Sequence, residues 1–145
     1  KSIGVSNFTI DHLKELEDKF GVIPAANQVE FHPYHYQKDL LEYCNSKNII
    51  IEAYSPLVHA KRMDEERLVA ISEEMGKTPA QILIRWAMQQ GMVVLPKSVN
   101  ESRIIENFAV FDFEISDSLM KRLDDLDERY VTCWDPHNPP DYAPV

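Results

Sequence analysis

The sequence predicts an α/β fold in which parallel strands alternate with helices. Short segments with apolar residues at 3–7, 25–30, 49–54 and 93–95 are predicted as buried strands, the first of them ending in polar residues. Segments with helical spacing separate these runs, and strands separated by helices imply right-handed crossovers and a parallel sheet. Four such units make either half of an eight-unit barrel or a small open sheet, and periodicity alone does not choose between them.

The predicted helices have recognisable start signals and apolar faces. They are expected over residues 9–20, 37–47 and 64–75, and from residues 78, 100 and 116 onwards. Capping residues stand at four of these starts, namely Thr9, Thr78, Asn100 and Ser116. Gly21 is placed to end the first helix. Helical spacing puts Leu13, Leu16 and Phe20 on the inward face of that helix.

Composition predicts a globular domain with an acidic surface. The chain has 145 residues, of which 44% are hydrophobic, and its formal net charge is −9. No run of Lys and Arg stands out, which argues against nucleic acid as a partner, and no apolar run approaches the length of a membrane span. Cys44 and Cys133 show no spacing typical of a disulfide framework, so a cytoplasmic location is expected. Because its first strand follows Lys1 almost at once, the sequence is expected to be a piece of a longer chain.

The loop between the fourth strand and the next helix combines the features of an anion site. Pro96 ends the strand, Lys97 and Ser98 occupy the turn, and Asn100 starts the helix. Arg103, one turn into this helix, adds a permanently charged guanidinium group. A helix start attracts anions through its unpaired N–H groups and its dipole. The arrangement indicates a phosphate site; the alternative is that Lys97 and Arg103 are solvated surface charges.

Polar side chains also stand at the carboxyl ends of the other predicted strands. They are Ser6 and Asn7, then Gln28, then Tyr54 and Ser55. Barrel enzymes build their sites from residues at this rim, so the placement favours half of an eight-unit barrel over an open sheet. His32 and His35 have the spacing H-x-x-H, but they lie in a proline-containing turn rather than on a helix face, so no metal site is predicted.

At these residues the sequence resembles the aldo-keto reductase family. Four pieces match the family in order and spacing over residues 1 to about 127. They are Gly4-Val5-Ser6-Asn7-Phe8, Asn27-Gln28-Val29-Glu30 with His32-Pro33, Ala53-Tyr54-Ser55-Pro56-Leu57, and Pro96-Lys97-Ser98 with Arg103, Glu106 and Asn107. The resemblance implies the C-terminal half of a TIM (β/α)₈ barrel over residues 1–127, with parallel strands and outer helices. A C-terminal substrate-side loop or tail would follow at residues 128–145.

The resemblance also assigns roles in binding NADP(H). Ser6, Asn7 and Gln28 would hydrogen-bond the nicotinamide carboxamide, and Tyr54 would stack on the nicotinamide ring. The remaining assigned cofactor residues are Ser55 and Leu57 along the pyrophosphate, Lys97, Ser98 and Arg103 at the 2′-phosphate with Val99 beside them, and Glu106 and Asn107 at the adenine end. The alternatives are a core aromatic ring for Tyr54, a satisfied buried amide for Gln28 and a surface carboxylate for Glu106.

The resemblance is incomplete in its catalytic part. The family's tetrad of aspartate, tyrosine, lysine and histidine belongs to the first half of the barrel, so no residue of this chain is expected to be catalytic. The loop after Leu57 is shorter than in many members of the family. Cys133 and Trp134, in the tail, are expected on the substrate side.

The predicted function is NADPH-dependent reduction of an aldehyde or ketone, for which this chain supplies the cofactor-binding half. The alternative is a non-catalytic NADPH-binding, structural or regulatory protein derived from a truncated reductase. A half barrel leaves open edges at its first and fourth strands. The expected partners are therefore the missing N-terminal half-barrel or a second copy of the chain, besides a small-molecule carbonyl substrate. The inner face of a half barrel would be exposed to water, although Ile3, Val29 and Ile51 are expected on it and suit an apolar interior.

Overall fold

A four-stranded parallel sheet forms the centre of the computed structural model, which describes residues 1–133. The strands are β1 (Gly4–Ser6), β2 (Ala26–Glu30), β3 (Ile50–Tyr54) and β4 (Val93–Val94). They lie side by side in chain order, and every neighbouring pair is parallel. The predicted alternation of parallel strands and helices is confirmed.

Six α-helices are present in the described residues, close to the predicted positions. They are α1 (Ile10–Phe20), α2 (Lys38–Ser46), α3 (Glu66–Met75), α4 (Pro79–Gln89), α5 (Glu101–Phe108) and α6 (Asp117–Asp124). Thr9, Thr78 and Asn100 cap α1, α4 and α5 with side-chain hydrogen bonds, as predicted. Ser116 precedes α6, but its hydroxyl lies 3.1 Å from the Ser118 hydroxyl and makes no cap bond to the backbone. No helix within residues 1–133 is both long and apolar enough to cross a membrane.

The two faces of the sheet have opposite character. Val29, Ile51 and Ala53 point to the helix-covered face and are each at most 2% exposed. The prediction that Val29 and Ile51 line the inner face is therefore wrong, because strand side chains alternate and these two belong to the outward set. Ile3, the third residue of that prediction, is 48% exposed at the sheet edge. The inner face instead carries Gln28, Glu30, Glu52 and Tyr54, which face one another in register.

Large apolar side chains are exposed at both flanks of the sheet. Beside β1, Phe20 is 70% exposed, although helical spacing predicted it to be inward with Leu13. Phe20 lies in the last turn of α1, whose buried residue is Leu13. Beside β4, the exposed apolar residues are Ile104, Ile105, Phe108 and Phe111. Exposed patches of this kind mark surfaces that pack against another element.

Candidate functional site

The carboxyl ends of the parallel strands meet along one edge of the sheet, which we call the rim. Ser6 ends β1, Glu30 ends β2 and Tyr54 ends β3. Register places Ser6 opposite Gln28 and Glu30 opposite Tyr54. The structure thus brings together the polar residues that the sequence predicted at the ends of the first three strands.

Asn7 and Tyr54 form one hydrogen-bonded pair at the rim. The Tyr54 hydroxyl donates to Asn7 Oδ1 at 2.9 Å, and the Asn7 backbone N–H donates to the Gln28 carbonyl at 2.9 Å. Asn7 has φ 58°, a left-handed conformation that asparagine tolerates better than most residues. Burial, reinforced by Cys133 and Glu30, raises the pKa of Tyr54 to about 12, so its hydroxyl stays a donor at neutral pH. This bond turns the Asn7 amide nitrogen away from Tyr54 and leaves it as a donor for a ligand.

Gln28 is oriented by a carboxylate that the sequence did not single out. Its Nε2 donates to Glu52 Oε2 at 2.8 Å across the β2–β3 pair. An ionised carboxylate only accepts hydrogen bonds, so the amide must present its nitrogen to Glu52 and its carbonyl oxygen elsewhere. The Ser6 hydroxyl is already engaged, because it donates to the Gln28 main-chain carbonyl at 3.0 Å. The rim therefore offers an amide donor from Asn7 and an amide acceptor from Gln28.

Two cations, Lys97 in the loop after β4 and Arg103 in the first turn of α5, have no carboxylate partner among the described residues. Lys97 and Arg103 are exposed, and neither pairs with an acidic side chain anywhere in residues 1–133. The sequence interpretation assumed that the first N–H groups of α5 are free to bind an anion. In the structure they are already bonded. Asn100 Oδ1 accepts from the backbone N–H groups of Ser102 at 3.0 Å and Arg103 at 3.4 Å. Any anion at this position would thus be held by side chains more than by the helix start.

The other residues assigned to this end of the site have mixed surroundings. Ser98 Oγ accepts from the backbone N–H of Asn100 at 3.1 Å, which fixes the turn. Val99 is 87% exposed, while Asn107 is only 8% exposed. Glu106 is partly exposed, so the alternative of a surface carboxylate stays open for it.

The loop after β3 is held in an unusual conformation. Ser55 has φ 49°, and the 3₁₀ turn Val58–Ala60 has φ values of 54°, 50° and 60°. Left-handed conformations cost roughly 1–2 kcal/mol per L-residue, so three in succession need external support. Part of that support comes from Val58, which is fully buried. His59 Nε2 also lies 3.1 Å from Ser55 Oγ.

Glu30 joins the rim to the tail, which we define as residues 128–145 and which the structure describes as far as residue 133. The side chain of Glu30 is 3% exposed and accepts from four donors of three residues, namely His32, Thr132 and Cys133. Burial opposes its ionisation, but these hydrogen bonds outweigh burial and lower the pKa of Glu30 to about 2. An acceptor that is charged at neutral pH therefore lies beneath the tail.

Four residues of this region were missed by sequence reasoning, namely Glu30, Glu52, His59 and Thr132. Alternation along β2 and β3 was the available signal for the two glutamates, because it gives them the same face as Gln28 and Tyr54. No local signal exists for Thr132, whose partner is 102 residues away. Cys133 lies at the rim, 3.4 Å from Ser55 Oγ, whereas Trp134 lies outside the described residues. Within residues 1–133 no group of three His, Cys, Asp or Glu side chains could hold a metal ion.

The sequence matches known proteins over nearly its whole length. A family model described as "Aldo/keto reductase family" matches residues 1–61 and 58–128. A glyoxal reductase of Bacillus subtilis is 47% identical over 131 residues, which are 89% of this chain and 48% of that protein. Aldose reductase B of Dictyostelium discoideum is 42% identical over 135 residues, which are 92% of this chain and 43% of that protein. An uncharacterized oxidoreductase of Schizosaccharomyces pombe is 47% identical and is covered to 50% of its length.

Solved structures give the same result for the fold. A mutant of Gox0644 in complex with NADPH superposes with a TM-score of 0.89 at 39% identity, covering 97% of this chain and 52% of that one. An aldo-keto reductase from a deep-sea metagenome library gives a TM-score of 0.91 at 37% identity, covering 98% and 53%. The chain spans about half the length of the curated relatives and solved structures it matches. The prediction of the C-terminal half of a TIM (β/α)₈ barrel is confirmed, and the chain belongs to the aldo-keto reductase family.

Proposed function

We propose that this chain is the cofactor-binding half of an NADPH-dependent reductase that converts aldehydes or ketones to alcohols. The observation that carries the proposal is the complementary pair of amides at the rim. A carboxamide has one acceptor oxygen and a donor NH₂ group, and Asn7 and Gln28 offer the matching donor and acceptor. Ser6 and Tyr54 hold this pair in place, and Tyr54 also offers a ring face against which a nicotinamide could stack.

The charge distribution supports a phosphorylated cofactor. The chain carries a net charge of −9, yet Lys97 and Arg103 remain free of carboxylates in the described part of the chain. Both flank Ser98 and the start of α5. We propose that they bind the 2′-phosphate that distinguishes NADPH from NADH, with Glu106 and Asn107 towards the adenine. Ser55 and Leu57 would meet the pyrophosphate, and Val99 would lie beside the 2′-phosphate.

The proposed division of labour leaves proton transfer to the other half of the barrel. A bound NADPH would supply the hydride, and Asn7, Gln28 and Tyr54 of this chain would orient its nicotinamide ring. We propose no catalytic acid among its residues, since none matches the family's tetrad. The tail, with Cys133 and Trp134, would border the substrate, and the boundary between barrel and tail at residue 127 stays a prediction. A cytoplasmic location likewise stays a prediction.

The exposed apolar flanks support completion of the barrel by further structure. Phe20 on one side and Ile105 and Phe108 on the other are each at least 65% exposed. These are the positions that neighbouring helices of a closed barrel would cover. The polar inner face would likewise be enclosed. We propose that the partner is the N-terminal half-barrel, with pairing of two copies as the alternative.

Cofactor choice tests the proposal in the whole reductase that contains this chain. Dissociation constants for NADPH and NADH are measured by quenching of protein fluorescence in the unmodified protein and in the K97A/R103A variant. Each hydrogen bond to a charged group contributes roughly 1.5–3 kcal/mol, so we expect a preference for NADPH of about a hundredfold that the variant loses. Lys61, an exposed lysine in another loop, provides the control K61A, which should keep the preference. Equal affinities in the unmodified protein would contradict the proposal.

The alternative is a non-catalytic NADPH-binding, structural or regulatory role. It would be carried by a natural protein of this length. The intact mass of the natural protein separates the two functions. A mass near twice 16.8 kDa is expected for the reductase, while a natural product of 16.8 kDa favours the alternative. The 145-residue chain alone is expected to show no NADPH-linked reduction of a simple aldehyde, because a general acid contributes about 10²–10⁴-fold.

A further inference from the structure

The buried carboxylate of Glu30 accepts hydrogen bonds from the turn after β2 and from the tail. Oε1 accepts from His32 Nε2 at 3.1 Å, from the Thr132 backbone N–H at 2.8 Å and from the Thr132 hydroxyl. Oε2 accepts from the Cys133 backbone N–H at 3.0 Å. A buried carboxylate that lost these donors would be strongly destabilised, so the bonds to the tail are strongly favoured.

The tail makes a second set of contacts on the way to Glu30. The backbone N–H groups of Glu128 and Tyr130 both donate to the Tyr34 carbonyl, at 3.2 and 2.8 Å. Arg62 lies 4.5 Å from the centre of the Tyr130 ring and 3.2 Å from the Glu128 carboxylate. These contacts hold residues 128–130 against Tyr34 in the turn after β2 and against Arg62 in the loop after β3. The Thr132 and Cys133 N–H groups both donate to Glu30.

Fixing Cys133 has a consequence for the loop after β3. Cys133 Sγ lies 3.4 Å from Ser55 Oγ and 3.5 Å from His59 Nε2. Ser55 and His59 both have positive φ, so this loop depends on outside contacts to keep its conformation. The tail therefore reaches the loop through a thiol whose backbone is held by Glu30.

We propose that Glu30 is a positioning residue that fastens the tail to the rim and, through Cys133, holds the loop carrying Ser55 in the conformation that meets the cofactor. This inference rests on the proposed function for its cofactor part only. Glu30 itself does not touch the cofactor in this scheme. It acts on the lifetime of the bound complex by supporting one loop.

Amide hydrogen exchange of the whole reductase that contains this chain, followed by NMR, tests the fastening directly. E30Q replaces one acceptor oxygen with an NH₂ donor, and we expect the Thr132 and Cys133 amides to exchange at least about tenfold faster. The Glu128 and Tyr130 amides, which bond to Tyr34, serve as internal controls and should change less. E128Q weakens the ion pairs of the Glu128 carboxylate with Arg62 and Arg67, so it should act mainly on the Glu128 and Tyr130 amides and leave those of Thr132 and Cys133 protected. If E30Q unfolds the chain, T132V replaces it as the deciding variant, because it removes only the hydroxyl donor to Glu30. Unchanged Thr132 and Cys133 exchange in the folded variant would overturn the proposal.

The rate of NADPH dissociation from the whole reductase tests the connection to the loop. We expect E30Q to speed NADPH dissociation at least about tenfold, because it removes hydrogen bonds to a charged group. We expect C133A to speed it about threefold, because it removes an ordinary hydrogen bond. C133A should do so while the Thr132 amide stays protected, which separates the thiol contact from the fastening. Faster exchange without faster dissociation in E30Q would overturn the connection. If the unmodified reductase binds no NADPH, the proposed function fails, and the exchange experiment still decides whether Glu30 fastens the tail.

Discussion

Ile50 and Ile51 are neighbours in β3 and have opposite surroundings. Ile51 is 2% exposed beneath the helices, whereas Ile50 is 52% exposed on the inner face. The helix-covered face encloses a core that includes the fully buried Trp86 and Leu68. The inner face and its rim carry polar side chains paired with one another, such as Gln28 with Glu52. The comparison shows that the helices of this chain cover one face of the sheet, while the other face is open and carries the candidate site.

The largest expected effect comes from truncating the two isoleucines in turn. I51A should lower the free energy of unfolding of the 145-residue chain by about 2–5 kcal/mol, because it leaves a cavity in the core. I50A should lower it by less than about 1 kcal/mol, because that side chain is half exposed. Urea unfolding of both variants at several protein concentrations measures the difference.

The same pair of variants reports on the partner of the inner face. If the N-terminal half-barrel covers this face, I50A should become costly only when that half is present. Equal costs for I50A and I51A in the isolated chain would mean that the inner face is already buried. Concentration dependence of the I50A effect would then identify a second copy as the cover.

Acid unfolding tests the rim through Glu30. Its pKa in the folded chain is about 2, below its ordinary value of 4.5, so ionised Glu30 stabilises the fold at neutral pH. This stabilisation is present above about pH 4.5 and is lost as pH falls towards 2, by about 3 kcal/mol in total. Thermal melts between pH 6 and 2 should show the fall, and E30Q should flatten it. An equally steep fall in E30Q would assign the acid sensitivity to other carboxylates, such as Glu65, whose pKa is also lowered.

A smaller effect is expected from the carboxylate that orients Gln28. E52L removes the acceptor at 2.8 Å, so the Gln28 amide is free to turn, and NADPH affinity of the whole reductase should fall about tenfold. Fluorescence titration measures this, and the double variant E52L/Q28A is the control. In the Q28A background E52L should add nothing, since its effect passes through Gln28. Additive losses would show that Glu52 acts on the cofactor by another route.

The features that the sequence could predict depend on contacts between residues that are close together along the chain. Caps such as Thr78 and strand ends such as Pro96 rest on neighbouring residues, and the helices and strands followed from them. The face of a strand is also local, yet Val29 and Ile51 were assigned to the wrong side because apolar character was weighed before alternation. The bonds between Glu30 and Thr132 join residues 102 positions apart, so only the folded chain brings them together. The same holds for the contact of Cys133 with Ser55.

The smallest expected effect concerns the left-handed turn next to the rim. Ala60 is exposed and has φ 60°, a conformation that costs an L-residue roughly 1–2 kcal/mol and costs glycine little. Glycine also loses more chain entropy on folding, so A60G should raise the free energy of unfolding by no more than about 1 kcal/mol. The matched control is Ala70, which is exposed in the middle of α3. A70G should lower the free energy of unfolding by about 0.5–1 kcal/mol. Urea unfolding of the two variants should therefore give shifts of opposite sign. A loss of stability in A60G would show that Ala60 does not keep this conformation in solution, and that the loop beside Ser55 is less firmly held than its contacts with His59 and Cys133 indicate.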